Sequence, residues 1–245
     1  MSHDLGAAIA SLYKSGKYTD LVIQCGKQAW KVHRAVICTQ SKPLAAAIDV
    51  SYGFKESQTG RIALEDDHPS TVNLMIEWLY TSEYDDNRGP TSFESSGGVG
   101  PSDDSEDWRP VPYHPAKWYR YDRALGVEVF RPEALEINAE VYVIAEKYDI
   151  QPLKSLARER YEEVFVSVHR KEFTTSFVHS LVILFDGTPE GDGLRSFAFR
   201  AAARNSADLL QNEAFSQLFM KRGEIAFDLF KSLAQSSGSL SVHDF

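Results

Sequence analysis

The 245-residue chain has only two cysteines, Cys25 and Cys38, and no CxxC pair. That excludes a disulfide framework and fits a reducing compartment. Nowhere do about 18 apolar residues follow one another, so no membrane-spanning helix is expected. The opening stretch MSHDLGAAIASLYK carries Asp4 and lacks a long apolar core, so it does not read as a signal peptide. Asn-x-Ser/Thr acceptors are also missing. These absences together describe an intracellular protein, cytoplasmic or nuclear. Cations are the minority: Lys and Arg number 26 against 35 Asp and Glu, a net charge of −9. Phosphate contacts need clustered cations, so nucleic acid is disfavoured as the main partner.

Catalytic signatures are absent as well. The chain contains no GxSxG, Walker A loop or HExxH. Its histidines are not spaced with cysteine or acid in a zinc pattern, and His33 with Cys38 reads as a strand end beside a small core residue. Gly98-Val99-Gly100 does not open a helix after a strand, which a dinucleotide fingerprint requires. The paired acids Asp85-Asp86 and Asp103-Asp104 lie where nothing holds them in place, and general acid–base work needs fixed geometry. No enzyme activity, cofactor or metal is expected.

What is present suits a globular protein: 43% hydrophobic and 25% charged residues. The length corresponds to one large domain, or one domain plus an appendage. Leu5, Ala8, Ile9 and Leu12 recur at helical spacing and predict a helix over 4–15, stopped by Gly16. Tyr18 to Gly26 and Gln28 to His33 alternate around a Gly26-Lys27 turn and predict a hairpin. A short apolar stretch, Ala35 to Thr39, follows. Ser41 then caps a helix with Pro43 in its first turn, running to about Val50. Residues 61–66 predict a third strand. His68-Pro69-Ser70 opens a helix striped by Val72, Met75, Ile76 and Leu79 and ending near Tyr80.

The composition then breaks. Between Asp85 and Asp107 stand seven acids, one base, four Gly, two Pro and five Ser, with Phe93 and Val99 the only apolar hydrophobics. Such a stretch buries too little surface to offset its ordering entropy, so 85–107 reads as an acidic disordered insertion. The segment 108–132 has no clear period. Within it, Tyr113 to Tyr121 interleaves aromatics with cations. That pattern stacks on single-stranded nucleic acid, docks a loop, or meets a protein partner, and the upstream acids compete for its cations. Helices are predicted over 136–148 and 152–165, broken at Asp149-Ile150-Gln151-Pro152. Residues 173–234 are helical in character, with a last stripe of Ala226, Leu229, Phe230 and Leu233 and a frayed tail.

The ordered set of pieces resembles the BTB/POZ family. Thr19-Asp20-Leu21 and Trp30-Lys31-Val32-His33-Arg34 match its opening strands. Gly53-Phe54-Lys55-Glu56-Ser57, Ile62-Ala63-Leu64 and Ile76-Glu77-Trp78-Leu79-Tyr80-Thr81 continue the pattern. Val141 to Ile150, followed by Leu153, looks like the closing helices. The likeness is to the BTB proteins of filamentous fungi and covers about 1–84 and 133–165. It implies an α+β chain: a small β-sheet flanked by a helical cluster over 1–165, interrupted by the insertion, then a helical C-terminal extension over 166–245. A connection lengthened at that point costs little entropy.

The resemblance also implies a role. Members act as protein-interaction modules, and many form homodimers through the N-terminal helix, which here offers Leu5, Ile9 and Leu12. The same stripe packed onto its own chain reads identically in sequence. Asp20 and Arg34 match the charged pocket of dimerising members; the other reading is an internal ion pair joining hairpin and helix. Phe54-Lys55-Glu56 matches the hydrophobic-x-Glu signature with which some members dock cullin scaffolds; otherwise Phe54 packs its loop and Glu56 is solvated. Two functions follow. One is a self-associating adaptor that recruits a cullin-type ubiquitin ligase. The other is an oligomerisation scaffold in transcriptional or other regulatory complexes, without ligase recruitment, in which the insertion contacts an unknown protein partner.

Overall fold

A computed structural model describes residues 5–86, 120–122, 127–129, 133–167 and 175–237. Most of the acidic stretch (87–107), the start of the aromatic–basic cluster (113–119) and the tail (238–245) lie outside them. The chain divides into two compact units. The first comprises residues 1–120 and 144–154, the second 121–143 and 155–245.

The first unit opens with α1 (Leu5–Ser15), which ends where Gly16 takes a left-handed φ of 59°. The hairpin follows: β1 (Leu21–Cys25) pairs antiparallel with β2 (Gln28–Val32), from Leu21↔Val32 to Cys25↔Gln28. Gly26, at φ 56°, begins the two-residue turn, a backbone region closed to most side chains. Leu21, Ile23 and Cys25 are buried on one face of β1, as the alternation predicts.

The stretch from Ala35 is more than an apolar run; it forms α2 (Arg34–Gln40). Next comes α3 (Lys42–Ile48), capped by Ser41, whose Oγ accepts the Leu44 N–H at 3.3 Å and donates to the Tyr148 carbonyl at 2.7 Å. This helix stops two residues short of Val50, which stands exposed in a 3-10 turn (Val50–Tyr52). A short α4 (Lys55–Thr59) leads into β3 (Arg61–Ala63), which joins β1 in parallel, so the sheet order is β2-β1-β3. The strand is shorter than the expected 61–66. Leu64 still donates to the Gln24 carbonyl at 2.8 Å, and the acids after it leave the sheet.

The helix α5 (Pro69–Thr81) buries the predicted stripe and also Thr71, Trp78 and Tyr80, because both α1 and α2 pack on it. Tyr80 is its key polar contact. Its hydroxyl accepts the His33 backbone N–H at 2.8 Å and lies 2.7 Å from His33 Nδ1. Order continues past the expected start of the insertion, since Tyr84 and Asp86 are buried. Beyond it, β4 (Arg120–Asp122) and β5 (Val127–Val129) pair as a separate two-stranded sheet. Within the first unit, the chain around Asp149 fastens to Asp67: Lys147 Nζ reaches both carboxylate oxygens at 2.9 Å and the Tyr148 hydroxyl donates at 2.6 Å.

The helices α6 (Ala134–Lys147) and α7 (Gln151–Ser167) appear near the expected bounds and break at the expected place. Residue 165 falls inside α7. Residues 155–165 pack with the second unit: the buried Tyr161 hydroxyl meets Ser180 Oγ at 2.8 Å, and the Phe165 ring lies 5.4 Å from that of Phe177. The rest of this unit is α8 (Thr175–Gly187), α9 (Gly193–Arg204), the short α10 (Ser206–Leu209), α11 (Glu213–Lys221) and α12 (Gly223–Ser237). Asp192 caps α9, accepting from Leu194 and Arg195 backbone N–H groups and from the Tyr142 hydroxyl. Arg195 donates to the Phe185 and Thr188 carbonyls and to Asp228, and lies 4.2 Å over the Phe185 ring. In α12, Ile225 and Leu229 are buried and Phe230 is exposed, so the expected stripe is displaced by the way α12 meets α9 and α11.

Replacing Tyr80 by Phe removes the oxygen that satisfies two buried groups of His33. The expected cost is about 1–3 kcal/mol. Urea denaturation should show a lower midpoint at an unchanged slope.

Candidate functional site

The described residues contain no cluster of three or more His, Cys, Asp or Glu able to hold a metal, and no helix long and apolar enough to cross a membrane. What the first unit offers is surface. Along α1 no side chain is fully buried. Leu5 is 72% exposed, and Ile9 and Leu12 are half-buried. The helix is held instead by an aromatic column: the Tyr13 ring stacks on Tyr80 with centroids 4.8 Å apart and planes 23° apart. Just beyond it, Tyr18 is 84% exposed at φ 64°, a region that disfavours large side chains. The alternation places Tyr18 at the start of the first strand, but β1 begins at Leu21 and Tyr18 stands in the turn before it.

Asp20 and Arg34 do come together, through backbone atoms. Asp20 is exposed and Arg34 half-buried. The Asp20 carboxylate accepts the Arg34 backbone N–H at 2.8 Å, and Arg34 Nε donates to the Asp20 carbonyl at 3.3 Å. Arg34 is the first residue of α2, whose opening N–H groups lack helical partners and favour an anion. Asp20 thus fastens the start of the hairpin to the start of the helix.

Phe54 and Glu56 form a second surface. Asp49 accepts the Ser51 N–H at 2.8 Å and caps the 3-10 turn; Gly53, at φ 67°, then redirects the chain. Phe54 precedes α4 and stays half exposed, its carbonyl accepting from Ser57 Oγ at 2.6 Å. Glu56 lies in the first turn of α4 and is half-buried. Nearby in sequence, Val50 is 76% exposed and adds apolar area that the sequence reading had assigned to the end of a helix. The loop therefore shows two apolar side chains and a carboxylate held on short, capped turns.

His33 is buried where β2 gives way to α2. Its Nε2 is 2.6 Å from the Lys17 carbonyl, which only accepts, so this nitrogen carries a proton. Burial raises the Tyr80 hydroxyl to about 12, opposed by the His33 N–H, and raises Tyr13 to about 12 with help from Glu77. Burial also pushes the Cys38 thiol up, so it is not an activated nucleophile.

Exposed apolar residues thus stand beside the closed core of the first unit. Residues 9–92 match the family model of the BTB/POZ domain, and this part of the chain is a BTB/POZ domain. Its three-stranded sheet and helices agree with the fold that the sequence resemblance implied. The chain is 21% identical over 223 residues to BTB and MATH domain-containing protein 42 of Caenorhabditis elegans, covering 91% of this chain and 41% of that protein. It is 30% identical over 77 residues to Kelch-like protein 25 of Homo sapiens, covering 31% of this chain and 13% of that protein. A 77-residue match at 31% identity to mouse Rabankyrin-5 covers 31% of this chain and 6% of that protein. The chain thus spans less than half the length of each of these relatives.

The tyrosine pair gives the domain an alkaline limit. Unfolded, Tyr13 and Tyr80 lose their protons near 10.0; folded, they keep them to about 12. The stability contributed by this difference is whole below pH 10 and falls as pH rises toward 12. Denaturant midpoints measured across that window should drop, in step with tyrosinate absorbance.

Proposed function

We propose that the chain is an adaptor that self-associates through the α1 face and recruits a cullin-type ubiquitin ligase through the Phe54–Glu56 loop. The observation that carries self-association is that α1 has an apolar stripe and no buried residue. A standard interface buries roughly 800 Å² per partner. An 11-residue helix, about 16 Å long, supplies only part of that, so Tyr18 and the Asp20–Arg34 corner belong to the same interface. The exposed Phe54 and Val50 beside Glu56 support scaffold docking, since an apolar anchor fills a pocket while the carboxylate pairs with a base. The companion expectations are a fungal source, a cytoplasmic or nuclear location and no catalytic activity.

Light scattering tests the first half. The 27.5 kDa chain should give a mass twice its own. The triple variant Leu5→Ser, Ile9→Ser, Leu12→Ser should give the monomer, as should Leu5→Asp alone, which spares the half-buried positions. A monomeric wild type, or a dimer surviving in both variants, overturns self-association through this face.

Pull-down with a purified cullin N-terminal domain tests the second half. The double variant Phe54→Ala, Glu56→Lys should lose the scaffold while keeping its fold and mass. Capture that is unchanged in the variant removes the docking assignment. No capture by the wild type leaves the reading as an oligomerisation scaffold of regulatory complexes.

A further inference from the structure

The second unit carries a cleft of about 280 Å³, lined by Phe165 of α7 and by Phe197, Arg200, Ala201, Arg204 and Asn205. Positions 197, 200, 201 and 204 recur at helical spacing, so α9 presents them on one face. Phe197 meets Phe165 edge-on at 5.5 Å and Tyr161 at 6.5 Å, and Tyr161 is itself fully buried. Asn205 closes the end of α9, its Nδ2 donating to the Ala201 carbonyl at 2.8 Å.

Several cations of the unit have acidic partners: Arg158 with Glu162, Arg195 with Asp228, Arg222 with Asp186, Lys231 with Glu190. Arg200 and Arg204 are exposed and have no ion pair or hydrogen bond among the described residues, in a chain with nine more acids than bases. Like charges one turn apart repel. The negative end of a helix attracts a cation in its last turn; that accounts for Arg204 but not for Arg200, one turn earlier.

We propose that this cleft binds an acidic peptide segment of a partner protein. One aromatic or bulky apolar side chain is seated against Phe165 and Phe197, and carboxylates beside it pair with Arg200 and Arg204. The volume equals about nine waters at ~30 Å³ each, room for one large side chain. Two cations are too few for a polynucleotide, whose binding draws on a longer array of phosphate contacts. The cleft is independent of the α1 face and of the Phe54–Glu56 loop, and its test does not depend on them.

The test is fluorescence anisotropy on the full chain with a labelled peptide, Glu-Asp-Glu-Trp-Glu-Asp-Glu. Its controls are the amide counterpart Gln-Asn-Gln-Trp-Gln-Asn-Gln, the Trp-to-Ala counterpart and a labelled oligothymidylate. The acidic Trp peptide should bind about tenfold tighter than either control peptide, with an affinity that falls as salt rises. The double variant Arg200→Gln, Arg204→Gln should weaken it about tenfold, with unchanged thermal midpoint and mass. Absence of binding by the wild type, equal binding of the amide peptide, or an unaffected double variant overturns the proposal. Tighter binding of oligothymidylate, lost in the same variant, reassigns the cleft to nucleic acid.

Discussion

In the first unit the placement of the sheet, α1 and α5 depends on one side chain, the imidazole of His33. Its Nε2 donates to the Lys17 carbonyl, in the loop after α1. Its Nδ1 lies 2.7 Å from the Tyr80 hydroxyl, whose oxygen takes the His33 backbone N–H. A loop, a strand end and a helix are thereby tied through three short polar contacts, the two to Tyr80 buried and the one to Lys17 part-buried. Each contact satisfies a group that would otherwise be costly to bury. Tyr13 stacks on the far side of Tyr80 and brings α1 into the same arrangement. An N-terminal helix without one buried residue of its own is held this way, and its apolar stripe stays available.

The second unit uses the same physics with different residues. Asp192 joins the Tyr142 hydroxyl to the first turn of α9, and Arg195, one turn on, ties two carbonyls of the α8 end to Asp228 of α12. Gly187 allows the tight approach here, since a Cβ at that position would fall 2.4 Å from Val143. Both centres are polar, largely buried and paired, so each specifies one arrangement of its helices where apolar packing alone tolerates several.

The exposed apolar residues divide by unit. Leu5, Tyr18, Val50 and Phe54 belong to the first unit; Val166, Leu210, Met220, Phe227 and Phe230 belong to the second. Leu5, Met220, Phe227 and Phe230 stand on helices, Val50 on a capped 3-10 turn, and Tyr18 on a turn at φ 64°. The net negative charge sharpens the contrast at Arg200 and Arg204, where cations face solvent without a counter-charge among the described residues.

By itself the sequence determined the local order of the domain. Alternation placed β1 and β2, Gly16 and Gly26 marked a stop and a turn, Ser41 announced a cap, and the stripe at Val72, Met75, Ile76 and Leu79 placed α5. These features follow from dihedral preferences and from 2.0 and 3.6 periodicities, which act over a few residues. Tertiary structure alone decided the rest. No period reveals that Tyr80 reaches His33 across 47 positions, or that the Asp20 carboxylate meets a backbone N–H at the start of α2. Likewise, Phe230 faces solvent and Asp86 is buried against their local patterns, and Phe165 joins Arg200 and Arg204 around one cleft. Such outcomes are set by which distant surfaces remain uncovered after the core has closed, and that depends on packing between elements rather than on any one of them.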